Sequence, residues 1–366
     1  VQTVIPLLKQ LSEAQGITGF EQPVCELLRQ TWSPFVDEMH EGKLGSLIAL
    51  KRGTSPSDRP KLMLAAHMDE IGLRVTGVED GFLRVTRVGG TDRRVLLGLE
   101  VVVHASRASG EGRDLPGIVA TRPPHVLPKE ERKKTVGWDK IFVDVGLPPQ
   151  EVERLVSIGD LISFRREVAE LKNRRLAGKA FDDRACVAIV TLALEQLAEM
   201  RHDWDIFAVA TVQEEIGLKG AVASAYGVAP DLAVALDVTF GKQPGVPDVD
   251  GVPLGEGPVI SVGPNFHPGV VARLKEVAEA REIPYQLEPA PGRSGTDAWA
   301  IQVTREGVPT ALVSLPLRYM HQPVETLDVQ DVERAARLLA AFVAGLEADF
   351  LDKLTLDLNR AAEGRR

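Results

Sequence analysis

Apolar positions recur along this chain at two periods, and their alternation lays out an architecture. Val4, Leu7, Leu8 and Leu11, then Val24, Leu27, Leu28 and Trp32, fall at the three- and four-residue spacing of helices with one apolar face. Apolar runs over 47–50 and 62–66 read as buried strands. From about Gly72 to Phe164 the pattern changes to short Val-rich stretches at 83–88, 95–103, 141–145 and 161–164. Gly89-Gly90, Gly110, Pro123-Pro124 and Pro148-Pro149 separate them, which predicts the hairpins of a small β-rich unit. After Gly178 the rhythm returns with helix 183–200, strand 206–212, helix 219–225, strands 232–237 and 259–262, helix 269–281, strand 285–288, helix 296–302, strand 310–315 and helix 329–350.

The simplest assembly is an α/β fold with a discontinuous domain made of 1–71 and 165–358, a mixed central sheet flanked by helices. Residues 72–164 form an inserted, small β-barrel-like domain, and the tail 359–366, with Arg360, Glu363, Arg365 and Arg366, is expected to fray. No repeat of solenoid period and no low-complexity tract interrupts this layout.

Composition narrows the function. With 366 residues, 44% hydrophobic and 26% charged, the chain is globular and long enough for a substantial core. Its 43 basic and 52 acidic residues leave a formal charge of -9, which argues against nucleic-acid or anionic-membrane partners. Cys25 and Cys186 allow one disulfide at most, so a reducing cytoplasm is the expected location. The first 16 residues lack a basic start, an apolar run and a small-residue cleavage site, and no stretch reaches the roughly 18 to 20 apolar residues of a membrane span.

Several polar residues sit where chemistry collects. His67 and Asp69 close the apolar run 62–66, a spacing that lets Asp69 hold the imidazole while the other ring nitrogen binds a metal. Asp182 and Asp183 stand at a loop-to-helix junction, where N-capping accounts for one of them and not for both. Glu214 and Glu215 follow a strand, with Gly217 permitting a turn that aims both at one site. Asp237 ends the run 233–236, and His321 follows strand 310–315. Each alone has a bland reading as a cap, a solvated strand end or a loop residue. Together they converge at the carboxyl ends of strands in an open α/β sheet, and two imidazoles with several carboxylates suit a dinuclear zinc, cobalt or manganese site.

Five motifs carry a resemblance: Ala-His-Met-Asp-Glu-Ile-Gly at 66–72, Gly-Lys-Ala-Phe-Asp-Asp-Arg at 178–184, Gln-Glu-Glu-Ile-Gly at 213–217, Leu-Asp-Val-Thr at 236–239 and Arg-Tyr-Met-His-Gln-Pro-Val-Glu at 318–325. In that order, and over nearly the whole chain, they resemble the M42 metalloaminopeptidases, which include glutamyl and tetrahedral aminopeptidases. Leu-Pro-Gly-Ile at 115–118, Arg-Pro-Pro-His at 122–125 and Ser-Gly-Thr-Asp-Ala at 294–298 agree. The departures are mild: Gln322 stands where the family often has Ser, and Phe181 occupies a variable position.

The resemblance implies two divalent ions per subunit, zinc or cobalt with manganese as an alternative. His67, Asp182 and Asp237 would bind one ion, and Asp182, Glu215 and His321 the other, with Asp182 bridging. Glu214 would be the general base, Asp69 the partner of His67, and a cis peptide is expected after Asp182. Two divalent ions against three carboxylates leave about one positive charge, which favours a bridging hydroxide that attacks the scissile carbonyl while Glu214 carries the proton. The same resemblance implies short peptides with a free N-terminus as substrates, and a homo-oligomer in which the β-rich insert pairs dimers that build a tetrahedral dodecamer. Arg293, Thr296, Asp297 and Arg318 are weaker candidates for substrate contact, and the two arginines suggest an acidic side-chain preference.

Three rivals fare worse. A glycosidase pairing Glu214 with Asp237 leaves both histidines idle. A metal-stabilised scaffold has no use for the free base Glu214, and a serine or cysteine hydrolase lacks a Gly-x-Ser-x-Gly elbow.

Overall fold

The computed structural model describes residues 3–55, 59–107, 113–247, 251–354 and 356; the tail at 359–366 and Gly110 lie outside the described residues. The chain opens with helices α1 (Val4–Glu13) and α2 (Gln22–Trp32) and strands β1 (Glu38–Glu41), β2 (Leu47–Lys51) and β3 (Lys61–His67). Next come β4 (Gly72–Glu79), β5 (Phe82–Val88), β6 (Glu100–His104), β7 (Asp114–Thr121), β8 (Ile141–Asp144), α3 (Pro149–Leu155) and β9 (Leu161–Phe164). The remainder holds β10 (Ala169–Glu170), β11 (Arg175–Gly178), α4 (Phe181–Ala198), β12 (Asp205–Thr211), α5 (Lys219–Val228), β13 (Leu232–Phe240), β14 (Val259–Val262) and α6 (Pro268–Ala280). It ends with β15 (Gln286–Pro289), α7 (Asp297–Ile301), β16 (Thr310–Leu317), β17 (Glu325–Asp328) and α8 (Val329–Ala344).

A mixed eight-stranded sheet runs in the order β1-β2-β12-β3-β13-β16-β14-β15. Its four central strands, β12, β3, β13 and β16, are parallel, and β2 and β14 flank them antiparallel. Central strands buried on both faces read as continuous apolar runs, as in Leu-Met-Leu-Ala-Ala before His67. Helix α4 is buried along nearly its whole length, against α1, α8 and β3, which explains why its sequence lacks a polar face. Strands β4 to β9 close a six-stranded barrel, with a separate core that includes Leu73, Val75, Leu83, Val101, Val143 and Ile162. The expected fold class, a mixed sheet with flanking helices and a small barrel, is the one observed.

Individual elements differ from the sequence expectation. The stretch 95–103 is not one strand: a short 3-10 turn at Arg93–Val95 precedes β6. Helix α8 stops at Ala344, where Gly345 caps it by donating its N–H to the last turn, rather than continuing to 350. Strands β1, β7 and β17 and helix α3 carry too little apolar periodicity to be anticipated; β1, Glu-Met-His-Glu, is an exposed edge that borrows its order from β2.

A buried ionic knot ties the chain together under the end of β3. The Glu70 carboxylate accepts from Lys179 Nζ at 2.8 and 2.9 Å, from Arg184 at 3.1 Å and from the Gly16 N–H at 3.2 Å. Arg184 spends its remaining donors on the carbonyls of Leu11, Ala14, Gly16 and Met68. Burial pulls Lys179 down to about 8, so it still carries a proton at neutral pH. Two cations and one carboxylate with every group hydrogen-bonded is the form in which buried charge is tolerated.

Candidate metal centre

The four parallel strands open their carboxyl ends on one edge of the sheet, where ligands collect in open α/β folds. His67 closes β3, Glu214 and Glu215 follow β12, His321 follows β16, and Asp182 comes from the start of α4. Both Gln213 (φ 55°) and His321 (φ 60°) take left-handed backbone, which turns the neighbouring side chains back toward the sheet edge. Asp237 does not end its strand, because β13 runs on to Phe240. The pairing of β13 with β3 stops at Ala235, so Asp237 stands beside the gap that β3 leaves.

Asp182 is the hub. One of its oxygens lies 3.1 Å from His67 Nε2 and the other 3.3 Å from His321 Nε2, while Glu215 Oε1 is 3.4 Å from the same His321 nitrogen. His67, Asp182 and Asp237 each offer one donor atom, and these lie within 4.8 Å of one another; the same holds for Asp182, Glu215 and His321. Neutral imidazoles and carboxylates in two sets sharing one carboxylate fit two divalent cations. Glu214 belongs to neither set, and its Oε2 lies 4.0 Å from His67 Nε2. The peptide between Asp182 and Asp183 is cis.

Electrostatics describe a site short of positive charge. Burial, with Asp237, Asp297 and Glu215 nearby, pushes Glu214 up to about 10, and burial with Asp182 pushes Glu215 up to about 7. Burial, then Asp182, holds Asp237 well above the usual range. Asp182 goes the other way: despite burial, hydrogen bonds from His321 and His67 keep it below the usual carboxylate range. Despite burial too, Asp182 and Glu215 raise His321 to about 9. Carboxylates that can be ionised together only at high pH are a place where cations displace protons.

Supporting groups come from distant parts of the chain. His67 Nδ1 lies 3.2 Å from the Asp69 carbonyl and 3.5 Å from its carboxylate. That carboxylate accepts from Thr18 Oγ1 at 2.8 Å, Glu214 N at 3.0 Å and Glu215 N at 3.3 Å, so Asp69 organises the glutamate turn as much as the imidazole. Glu325, to which the sequence reading assigns no role, accepts from Asp182 N at 3.1 Å and His321 N at 3.0 Å. Asp183 does not cap α4, since its Oδ2 accepts from His67 N at 3.1 Å. The bonds from Asp182 N to Glu325 and from His67 N to Asp183 span more than a hundred positions and run from backbone, so no local motif announces them.

The cluster lines a cavity of about 570 Å³. Thr296 and the exposed Arg293 also line it, and Arg293 lies over the Trp299 ring at 5.6 Å. Asp297 is buried behind the wall, where it accepts from Thr211 Oγ1 and burial raises it to about 6. Arg318 does not line the cavity, because its guanidinium donates to the Lys242 carbonyl at 2.8 Å.

Comparison with known proteins finds relatives over nearly the whole chain. The sequence profile of the M42 glutamyl aminopeptidase family matches residues 45–338. The chain is 38% identical over 346 residues to the lysyl aminopeptidase of Pyrococcus furiosus, covering 93% of this chain and 97% of that protein. Among solved structures, the TET aminopeptidase of a marine sediment Thaumarchaeota archaeon superposes with a TM-score of 0.88 at 33% identity, over 96% of this chain and 99% of the other. The TET1 peptidase of Pyrococcus horikoshii, described as assembling into a tetrahedron or a large octahedral shell, gives 0.82 at 30% identity over 94% and 100%. Among the described residues, no helix is long and apolar enough to cross a membrane.

Proposed function

This chain belongs to the M42 glutamyl aminopeptidase family and is a peptide hydrolase, and on that premise we propose that it removes N-terminal residues from short peptides at a pair of divalent cations. His67, Asp182 and Asp237 would hold one cation and Asp182, Glu215 and His321 the other, with zinc or cobalt the best match to the donors and manganese an alternative. The observation that carries the reading is Asp182, whose two oxygens each face an imidazole of a different set. Cations bound there supply Lewis acidity for the scissile carbonyl and for water.

The chain's own residues do the rest. Glu214 lines the cavity outside both ligand sets, with Oε2 4.0 Å from His67 Nε2; cations bound beside it would favour its ionised form, so it serves as the general base that takes a proton from water and returns it to the leaving amine. Asp69, bonded to the backbone of Glu214 and Glu215, keeps both carboxylates aimed into the cavity. Glu325 keeps Asp182 and His321 in register with each other. The barrel over 72–164 is the dimer contact, the body over 1–71 and 165–358 carries catalysis, and dimers build a tetrahedral dodecamer like the shells described for the TET relative.

The test compares short peptides bearing free or acetylated N-termini, with metal-free protein and after adding zinc, cobalt or manganese. Metal-restored cleavage of the free-amine peptides alone is expected. Cleavage that ignores the N-terminus, or that persists without metal, overturns the reading.

A further inference from the structure

The family profile is named for glutamate and a near relative for lysine, so the side-chain preference has to be read from this cavity. Beyond the metal cluster, the lining holds two charged side chains, Glu288 and Arg293. They are placed differently. Arg293 is exposed and lies over Trp299 at the rim, whereas Glu288 sits on β15 with its side chain half-buried and steered by a bond from Thr239 Oγ1 to Glu288 Oε1 at 2.6 Å.

The groups around Glu288 make a polar recess. Its register partner on the neighbouring parallel strand is Ser261, whose hydroxyl is fully buried, lines the cavity and has no hydrogen-bond partner. Ser314, also buried, lines the same wall and is the register partner of Asp237. No ion pair to Glu288 forms among the described residues. Among the described residues the hydrogen bond to the Glu288 carboxylate comes from Thr239, which leaves acceptor capacity toward the cavity, and an ammonium provides three donors while accepting none.

We propose that Glu288, with Ser261 and Ser314, forms the recess for the substrate's first side chain and selects a basic one, lysine above all. The proposal rests on the aminopeptidase reading and deepens it. It also reverses the acidic preference that Arg293 and Arg318 suggest from sequence, because Arg318 does not line the cavity and Arg293, which does, is exposed and lies over Trp299. A glutamate there would meet a like charge, and a leucine would strip water from Glu288 without replacing its bonds.

Two measurements decide it: kcat/KM of the metal-loaded protein on Lys-Ala-Ala, Leu-Ala-Ala and Glu-Ala-Ala, and calorimetric binding of L-lysine and L-glutamate to the metal-free protein. Lys-Ala-Ala should lead, with Glu-Ala-Ala last, and Glu288→Gln should shrink the lysine-to-leucine ratio roughly tenfold or more. Glu288→Asp, which keeps the charge, should preserve the order, and circular dichroism checks that both variants fold. Equal cleavage of the lysine and glutamate peptides, or a ratio unmoved by Glu288→Gln, overturns the recess and leaves the aminopeptidase reading standing. If no free-amine peptide is cleaved, that reading fails instead, and the calorimetry still decides whether Glu288 binds lysine.

Discussion

At the scale of single residues, the site separates groups that would hold cations from groups that would move protons. Glu214 and Glu215 are adjacent, yet Glu215 faces His321 at 3.4 Å while Glu214 stands apart from both donor sets. Glu214→Gln should therefore retain close to the wild-type metal content by elemental analysis and lose roughly 100- to 10,000-fold in turnover, the range of a positioned acid-base group. Asp182→Ala removes the shared carboxylate, so metal content should fall for both ions together. Glu325 is a positioning residue: Glu325→Ala leaves the N–H groups of Asp182 and His321 without their acceptor, and metal affinity should drop about 10- to 100-fold in a chelator competition. An unaltered affinity would remove Glu325 from the machinery. The residues of the donor sets are legible in sequence because each follows an apolar run or opens a helix. Glu325, Asp183 and Glu288 are not, because Asp182, His67 and Thr239, to which they are respectively bonded, lie 143, 116 and 49 positions away and are met only in space.

At the scale of elements, the barrel does more than sit beside the catalytic body. Its Gly89-Gly90 turn packs on the second donor set: a Cβ on Gly89 would come within 2.9 Å of Glu215 Oε2, and one on Gly90 would overlap the His321 ring. Gly89 also has φ 68°, whereas Gly90 is not held in left-handed backbone, so Gly90→Ala tests the contact without straining the turn. The variant should lower metal retention and turnover by displacing His321, with little change in thermal midpoint; normal metal binding would show that His321 yields without cost. Strong periodicity made most helices and central strands predictable. The polar edge β1 and the short β17 were not, since their order comes from hydrogen bonds to a neighbour rather than from an apolar face.

For the whole molecule, the concentration of buried acids sets how stability depends on pH. In metal-free protein Glu215 is raised to about 7, Glu214 to about 10 and His321 to about 9. A group raised by folding contributes stability that is complete below its unfolded value and is lost as pH climbs through the folded one. The metal-free protein should thus lose thermal stability from about pH 4.5 upward, through 7 on account of Glu215 and on toward 9 and 10. Adding metal should flatten that decline and release protons, which scanning calorimetry at several pH values and a pH-stat measure directly. If the metal-free and metal-loaded proteins decline in parallel, the carboxylates are not the source. Assembly is tested by light scattering with cleavage assays: a closed shell should process oligopeptides quickly and folded proteins slowly, and equal rates would argue for an open site.

Local chemistry written along the chain was enough to specify strands buried on both faces, a change of texture where the barrel lies, and polar residues waiting at strand ends. Those features depend on neighbours within a few positions, so one-dimensional order expresses them. Three features depend instead on packing that joins distant positions: the grip of Glu325 on Asp182 and His321, the knot of Glu70 with Lys179 and Arg184, and the recess around Glu288. The sign of the side-chain preference belongs to that second kind, because a charge acts according to where its side chain points. Arg293 and Arg318 have the composition for an acidic substrate, but the folded chain turns Arg318 to a carbonyl outside the cavity and sets Arg293, over an aromatic ring, in the same lining as Glu288.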